Sequence, residues 1–252
     1  MLFLLEIVMK KNIFVAFVTF VLLFAFMYWF YGNVDRIARE VMISYGSEMT
    51  GAKVSIGNVN IDMVNGKCVI KNFVLANPKG FESAYAIKID KLSLELVPST
   101  LVGSVIMIKK IEIVAPDIIY EKTDKSTNFD MILENIAAYL GPTRAQSPDD
   151  KKVMVNKLLI KDGKVQALAA FMNGQPVVFD LQDLYMKNLG KAENGLSPGQ
   201  LGQVIVSALK KELIATVNFT KLANGVVDAA TDLAKTVQES PGEMVNKLKS
   251  LF

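Results

Sequence analysis

A chain with no histidine and a single cysteine, Cys68, has few routes to chemistry. Serine and cysteine triads of the usual kind, imidazole metal sites, thiolate clusters and an intrachain disulfide are all excluded. Carboxylates remain. Asp149 with Asp150, and Glu112 with Asp117, are the pairs whose spacing allows acid–base work. The first pair falls in the polar, turn-rich stretch 141–150, where a solvated charge run is the ordinary occupant. The glycine-containing segments match no phosphate-binding loop. The sequence therefore predicts no catalytic residue, no metal and no cofactor. A formal net charge of +3, with no aromatic residues interleaved in a basic stripe, also argues against a nucleic-acid partner.

The residues that repeat are apolar. An apolar residue is followed by others three and five positions on at Ile56, Val59, Ile61; at Ile89, Leu92, Leu94; at Ile108, Ile111, Ile113; at Val155, Leu158, Ile160; and at Leu181, Leu184, Met186. Strands alternate with period two, so a step of three changes face and implies a bulge or bend at the same place in each strand. Bends at matching heights curl a sheet into a trough.

Strands must carry this pattern. Alternation on either side of Asn65-Gly66 predicts a hairpin over 52–76, since Asn-Gly between alternating runs is a strong hairpin signal. Further strands are expected over 85–96 and 106–113, with Ala115-Pro116 breaking the pairing before 118–121. A short helix capped at Thr127 or Asn128 follows, with Ile132, Leu133, Ile136 and Leu140 on one face. Another hairpin is expected to turn at Asp162-Gly163, extended by a strand over 177–186. Ser197, Pro198 and Gln200 then form the start of a helix with a capping box. Its apolar stripe is Leu201, Val204, Ile205 and Leu209. The remainder reads as weaker helix ending in an amphipathic tail.

Ahead of these elements stand nineteen residues without a charge, Ile13 to Tyr31, flanked by Lys10 and Lys11 and by Asp35, Arg36 and Arg39. At 1.5 Å per residue the run spans about 28 Å, close to the hydrocarbon thickness of a bilayer. It ends in the aromatic cluster Phe26 to Tyr31 instead of the small residues of a signal-peptidase site, so a retained single span is expected. Lys10 and Lys11 place its N-terminal side in the cytoplasm and the body outside. Residues 32–49 continue as an amphipathic helical stalk.

The phrases Thr50 to Asp62, Asn65-Gly-Lys, Leu75-Ala-Asn-Pro-Lys-Gly-Phe81, Ile111 to Asp117, Tyr120-Glu, and Thr127-Asn-Phe-Asp-Met-Ile-Leu-Glu-Asn-Ile136 resemble, in that order, the N-terminal region of AsmA-like proteins. The likeness covers about residues 10–190. It implies a Gram-negative inner-membrane protein with one N-terminal anchor (1–31), the stalk (32–49), a periplasmic β-groove domain (50–190) and a C-terminal helical segment (191–252). The implied fold is α+β: a transmembrane helix, then a strongly bent antiparallel sheet with a short helix and C-terminal helices. The implied ligand is phospholipid, as in the related repeating β-groove lipid-transfer proteins, and the implied setting is outer-membrane or envelope biogenesis.

On that basis the expected lipid-groove residues are Ile56, Val59, Ile61, Ile108, Ile111, Ile113, Leu158 and Ile160. The other role weighed is a scaffold or adaptor that assembles with copies of itself or an envelope complex. Leu201, Val204, Ile205 and Leu209 would then be the interface.

Overall fold

A computed structural model describes Thr19 and residues 32–141 and 151–225. The uncharged run apart from Thr19, the 142–150 segment and the tail from Val226 lie outside the described residues. Among those described, no helix is long and apolar enough to cross a membrane. The fold is α+β, a strongly curled half-barrel sheet with few helices.

Among the described residues the sheet has nine strands. They are β1 Val54–Asp62, β2 Lys67–Leu75, β3 Ile87–Leu96, β4 Val105–Val114, β5 Asp117–Lys122, β6 Lys152–Lys161, β7 Lys164–Ala169, β8 Val177–Asp180 and β9 Leu184–Leu189. The hairpin read at Asn65-Gly66 is β1–β2. The one read at Asp162-Gly163 is not a hairpin. Nor is the sheet antiparallel throughout, as expected: β4 pairs with β6, and β5 with β7, both in parallel and in one unbroken register, from Val105↔Lys152 to Lys122↔Ala169, because the helix Asn128–Leu140 carries the chain back across before β6 begins. Strands β6 and β7 are thus two halves of a single strand that bends at Asp162-Gly163. Strands β4–β5 and β8–β9 are likewise single strands with a bend.

The bends fall on a line. Pairing skips Gly57 opposite Asn72, Asn72 opposite Asp90, Asp90 opposite Ala115, Ala115 beside Asp162, and Asp162 opposite Gln182, while the register on both sides is kept. Three of these residues take left-handed backbone angles: Asn72 (φ 52°), Ala115 (φ 50°) and Asp162 (φ 55°). One left-handed residue interrupts a ladder and turns its strand, and asparagine and aspartate accept that conformation more readily than most residues. A second line runs through Lys109, Asn156 and Asn188 (φ 54°), with the register shift between Glu95 and Leu96 beside it.

The repeated triplets mark these lines. Those beginning at Ile56, Ile89 and Leu181 step over the first, and those beginning at Ile108 and Val155 step over the second. A bend reverses which parity faces inward, so the apolar pattern must slip by one residue to stay inside.

Helix α1, residues 32–50, lies along the free edge of β1. Asp35 Oδ1 accepts the Ile61 N–H at 2.9 Å, Arg39 Nε donates to the Ile56 carbonyl at 2.6 Å, and Ser47 Oγ accepts the Val54 N–H at 2.9 Å. Positions 35, 39 and 47 share one helical face. Their polar groups occupy edge positions that would otherwise template another strand. The helix expected as a stalk is therefore part of the body. Helix α2, Asn128–Leu140, is capped by Thr127, one of the two expected residues, in a capping box with Asp130, and α3, Pro198–Thr216, carries the expected capping box at Ser197/Gln200.

Candidate functional site

The inward face of the curled sheet is the candidate site, because the repeated apolar residues converge there. It divides into two clusters. The first gathers Val54, Ile56, Val59, Cys68, Ile70, Ile118, Tyr120 and Val165 under α1, α2 and the second half of α3. Phe129, Ile132, Ile136 and Leu213 insert from the helices with no exposed surface. Tyr120 meets Phe129 edge-on at 5.9 Å, a favourable aromatic geometry. The second cluster is Ile89, Ile108, Ile111, Ile113, Val155, Leu158 and Ile160, with Leu92, Leu94, Leu184 and Met186 beside it. From α3, Leu201 and Ile205 cover it.

The expected lipid-groove residues are thus distributed over both clusters. Ile56 and Val59 belong to the first, with Ile61 half-buried against it; Ile108, Ile111, Ile113, Leu158 and Ile160 belong to the second. All but Ile61 are buried by the chain's own side chains. Of the expected interface residues, Leu201, Ile205 and Leu209 turn inward onto the sheet, and Val204 is half-buried on the same helix.

The two roofs differ in tightness. Leu209 and Leu213 in the second half of α3 are buried, whereas every side chain from Leu201 to Val206 is only partly covered. A polar network pins the tight end. Asn128, fully buried, donates from Nδ2 to Asn77 Oδ1 at 2.8 Å and to the Ile119 carbonyl at 2.7 Å, and its Oδ1 accepts the Glu121 N–H at 3.1 Å. The Glu121 carboxylate accepts from the backbone of Glu82 and Ser83 at 2.8 and 2.9 Å and from the Ser83 hydroxyl. Asp130 forms an ion pair with Lys210, which ties α2 to α3. Burial opposes ionisation of Asp130, but Lys210 and the Thr127 hydroxyl and amide outweigh it and hold the carboxyl below its ordinary value. Sequence reading did not anticipate this network. Its signal was present in the phrases Asn77-Pro-Lys-Gly, Tyr120-Glu and Thr127-Asn-Phe-Asp, which the fold brings to one place.

No family model, curated protein or solved structure matches this chain.

The carboxylate pair read as possible acid–base chemistry is split between partners. Glu112 is held by Lys110 at 3.0 Å and Lys161 at 3.6 Å, and Asp117 accepts from the Tyr85 hydroxyl at 2.6 Å and from Gln166 at 2.9 Å. Burial, and then Asp117, push the Tyr85 hydroxyl up to about 12. Asp149 and Asp150 lie outside the described residues. Two polar-rimmed depressions sit elsewhere, one of about 270 Å³ beside Glu121 and Lys122 and one of about 450 Å³ beside Asp117 and Gln166. Among the described residues no three thiol or carboxylate groups converge as a metal site requires. What the second cluster offers, among the described residues, is apolar area without a buried polar side chain. An acyl chain there would gain about 25 cal/mol per Å² removed from water.

Proposed function

We propose that this chain is a lipid-handling β-groove protein of the AsmA-like type, held in a bacterial inner membrane by the run Ile13–Tyr31, with its body in the periplasm and a role in envelope or outer-membrane biogenesis. One observation carries the reading. The apolar row Ile108, Ile111, Ile113, Leu158 and Ile160 is roofed by the half of α3 whose side chains are only partly covered. Moving Leu201 and Ile205 aside would open an apolar trough while Leu209, Leu213 and the Asp130–Lys210 pair keep α3 attached. Lipid would replace side chains of the same polarity, so exchange between the two states is energetically balanced.

The test is native mass spectrometry with lipid extraction on the full chain, purified in detergent and washed with lipid-free detergent. Near-stoichiometric phospholipid, lost in an Ile111→Asp variant that keeps its circular dichroism, supports the reading. A lipid-free chain in a discrete oligomer supports instead a scaffold or adaptor of an envelope complex. That second reading is favoured by one observation: the candidate groove residues other than Ile61 are already buried by the chain itself.

A further inference from the structure

One end of the half barrel differs from the other. The register brings together the Asp62–Lys67 turn of β1–β2, the end of β3, the start of β4, the start of β6 and the end of β9. Residue 35 of α1 reaches the same end, beside Ile61. The uncharged sequence Ile13–Tyr31 directly precedes this helix in the chain.

Two ordered loops there carry bare valines. Val64 is 87% exposed in the β1–β2 turn, and Val102 is 90% exposed between β3 and β4. Neither loop is loose. Asn65 is held by Asp62 through backbone and side chain, and Thr100 is bonded to the Val97 carbonyl and the Met107 N–H. The loops also pack on each other: Gly66 has φ +64°, and a Cβ there would lie 2.5 Å from the Leu96 carbonyl oxygen and 3.0 Å from Pro98. The turn can be closed only by a residue without a side chain.

The adjoining β4–β6–β9 surface is basic. Lys157 and Lys187 stand directly opposite each other on paired strands, and Lys109, Lys151 and Lys191 are exposed nearby. Like charges on directly opposed strand positions repel and destabilise a sheet unless an anion neutralises them. The carboxylates at this end do little of that. Glu112 is already shared by Lys110 and Lys161, Asp62 is bound by Asn65, Asp35 caps Ile61, and Glu95 at the end of β3 stands opposite Lys67 and Lys110; Glu193 remains beside Lys191. Ordered apolar tips set beside unneutralised lysines suit a bilayer surface of anionic phospholipid: valines enter the interface while ammonium groups meet phosphates.

We infer that this end is a membrane-docking rim, in which Val64 and Val102 enter the bilayer interface and Lys157, Lys187 and their neighbours take anionic headgroups. The inference rests on the membrane-anchored reading above and adds an orientation to it. The trough would stand with its α1 end on the bilayer, so that lipid leaving the membrane meets the loosely roofed cluster first.

The test uses the full chain reconstituted into vesicles of phosphatidylcholine alone or of phosphatidylcholine with phosphatidylglycerol. A polarity-sensitive dye is attached at Val102→Cys. Cys68 does not compete, since burial and then the neighbouring Asp35 push its thiol up to about 11. Flotation with phosphatidylcholine vesicles reports the anchor; dye emission and its quenching by headgroup-level spin labels report the rim. The expected result is flotation on both vesicle types and a quenchable, blue-shifted dye on phosphatidylglycerol vesicles that weakens in salt. Lys157→Gln with Lys187→Gln should weaken the docking equilibrium by about fivefold for each lysine, with flotation unchanged. A chain that floats while its dye stays in water on both vesicle types overturns the rim and leaves the anchor standing. A chain that does not float on either vesicle type overturns both.

Discussion

The two halves of the inner face are built from the same residue types and differ in what covers them. The cluster around Ile118 and Val165 lies under three helices, with Phe129, Ile132 and Ile136 driven fully into it and Asn128 tying the helix to the sheet. Among the described residues, the cluster around Ile111 and Leu158 has only Leu201 and Ile205 as helical cover, both partly exposed. Apolar composition therefore does not distinguish a core from a candidate ligand surface. The number and depth of covering groups does, because local opening costs least where few buried contacts are lost.

That contrast is open to direct attack. Phe129→Ala should destabilise the chain by about 3–5 kcal/mol, read from the denaturation midpoint, since it removes a fully buried ring among fixed neighbours. Asn128→Leu should cost about 2–3 kcal/mol, because it leaves the Glu121 N–H and the Ile119 carbonyl buried without their partner. Leu201→Ala on the loose roof should cost only about 1 kcal/mol, and amides near it should exchange faster than those near Leu213. Equal costs at Phe129 and Leu201 would erase the distinction between the halves.

The smallest effect is on pH. The Asp130 carboxyl is held below its ordinary value of 3.8, so its contribution is fully present above that pH and is lost as pH falls through the lowered value. Lys210→Met should therefore lower stability at neutral pH, with the difference from the parent chain closing as the solution is acidified below 3.8. A difference that persists in acid would mean that Lys210 acts through packing alone.

Much of the sheet was legible because strand alternation and its interruptions are local facts. The step of three in the apolar pattern predicted a bend at the same place in each strand; the register shows bends in line, but along two lines between which the triplets divide. The same step at Ile70, Phe73, Leu75 and at Ile160, Gly163, Val165 escaped notice, the latter because Gly163 holds an inward position with no apolar side chain to mark it. Asp162-Gly163 misled for a related reason. The dipeptide signals a left-handed residue, which Asp162 supplies at φ 55°, but that conformation serves a strand bend as well as a hairpin.

The edge position of α1 was not legible, since Asp35, Arg39 and Ser47 look like an ordinary polar helix face until a strand edge is placed beside them. The inward turn of Leu201, Ile205 and Leu209 was equally hidden. An apolar stripe states that a helix is covered on one side without naming what covers it.

The central claim is that the face beneath the first half of α3 takes lipid. The most direct measurement places a photo-crosslinking amino acid at Leu201 in the full chain in cells, with Ile214, 56% exposed on the same helix, as the outward control. The account predicts phospholipid adducts from Leu201 and none above background from Ile214. Adducts only to protein at Leu201, or equal lipid labelling at both positions, would contradict it.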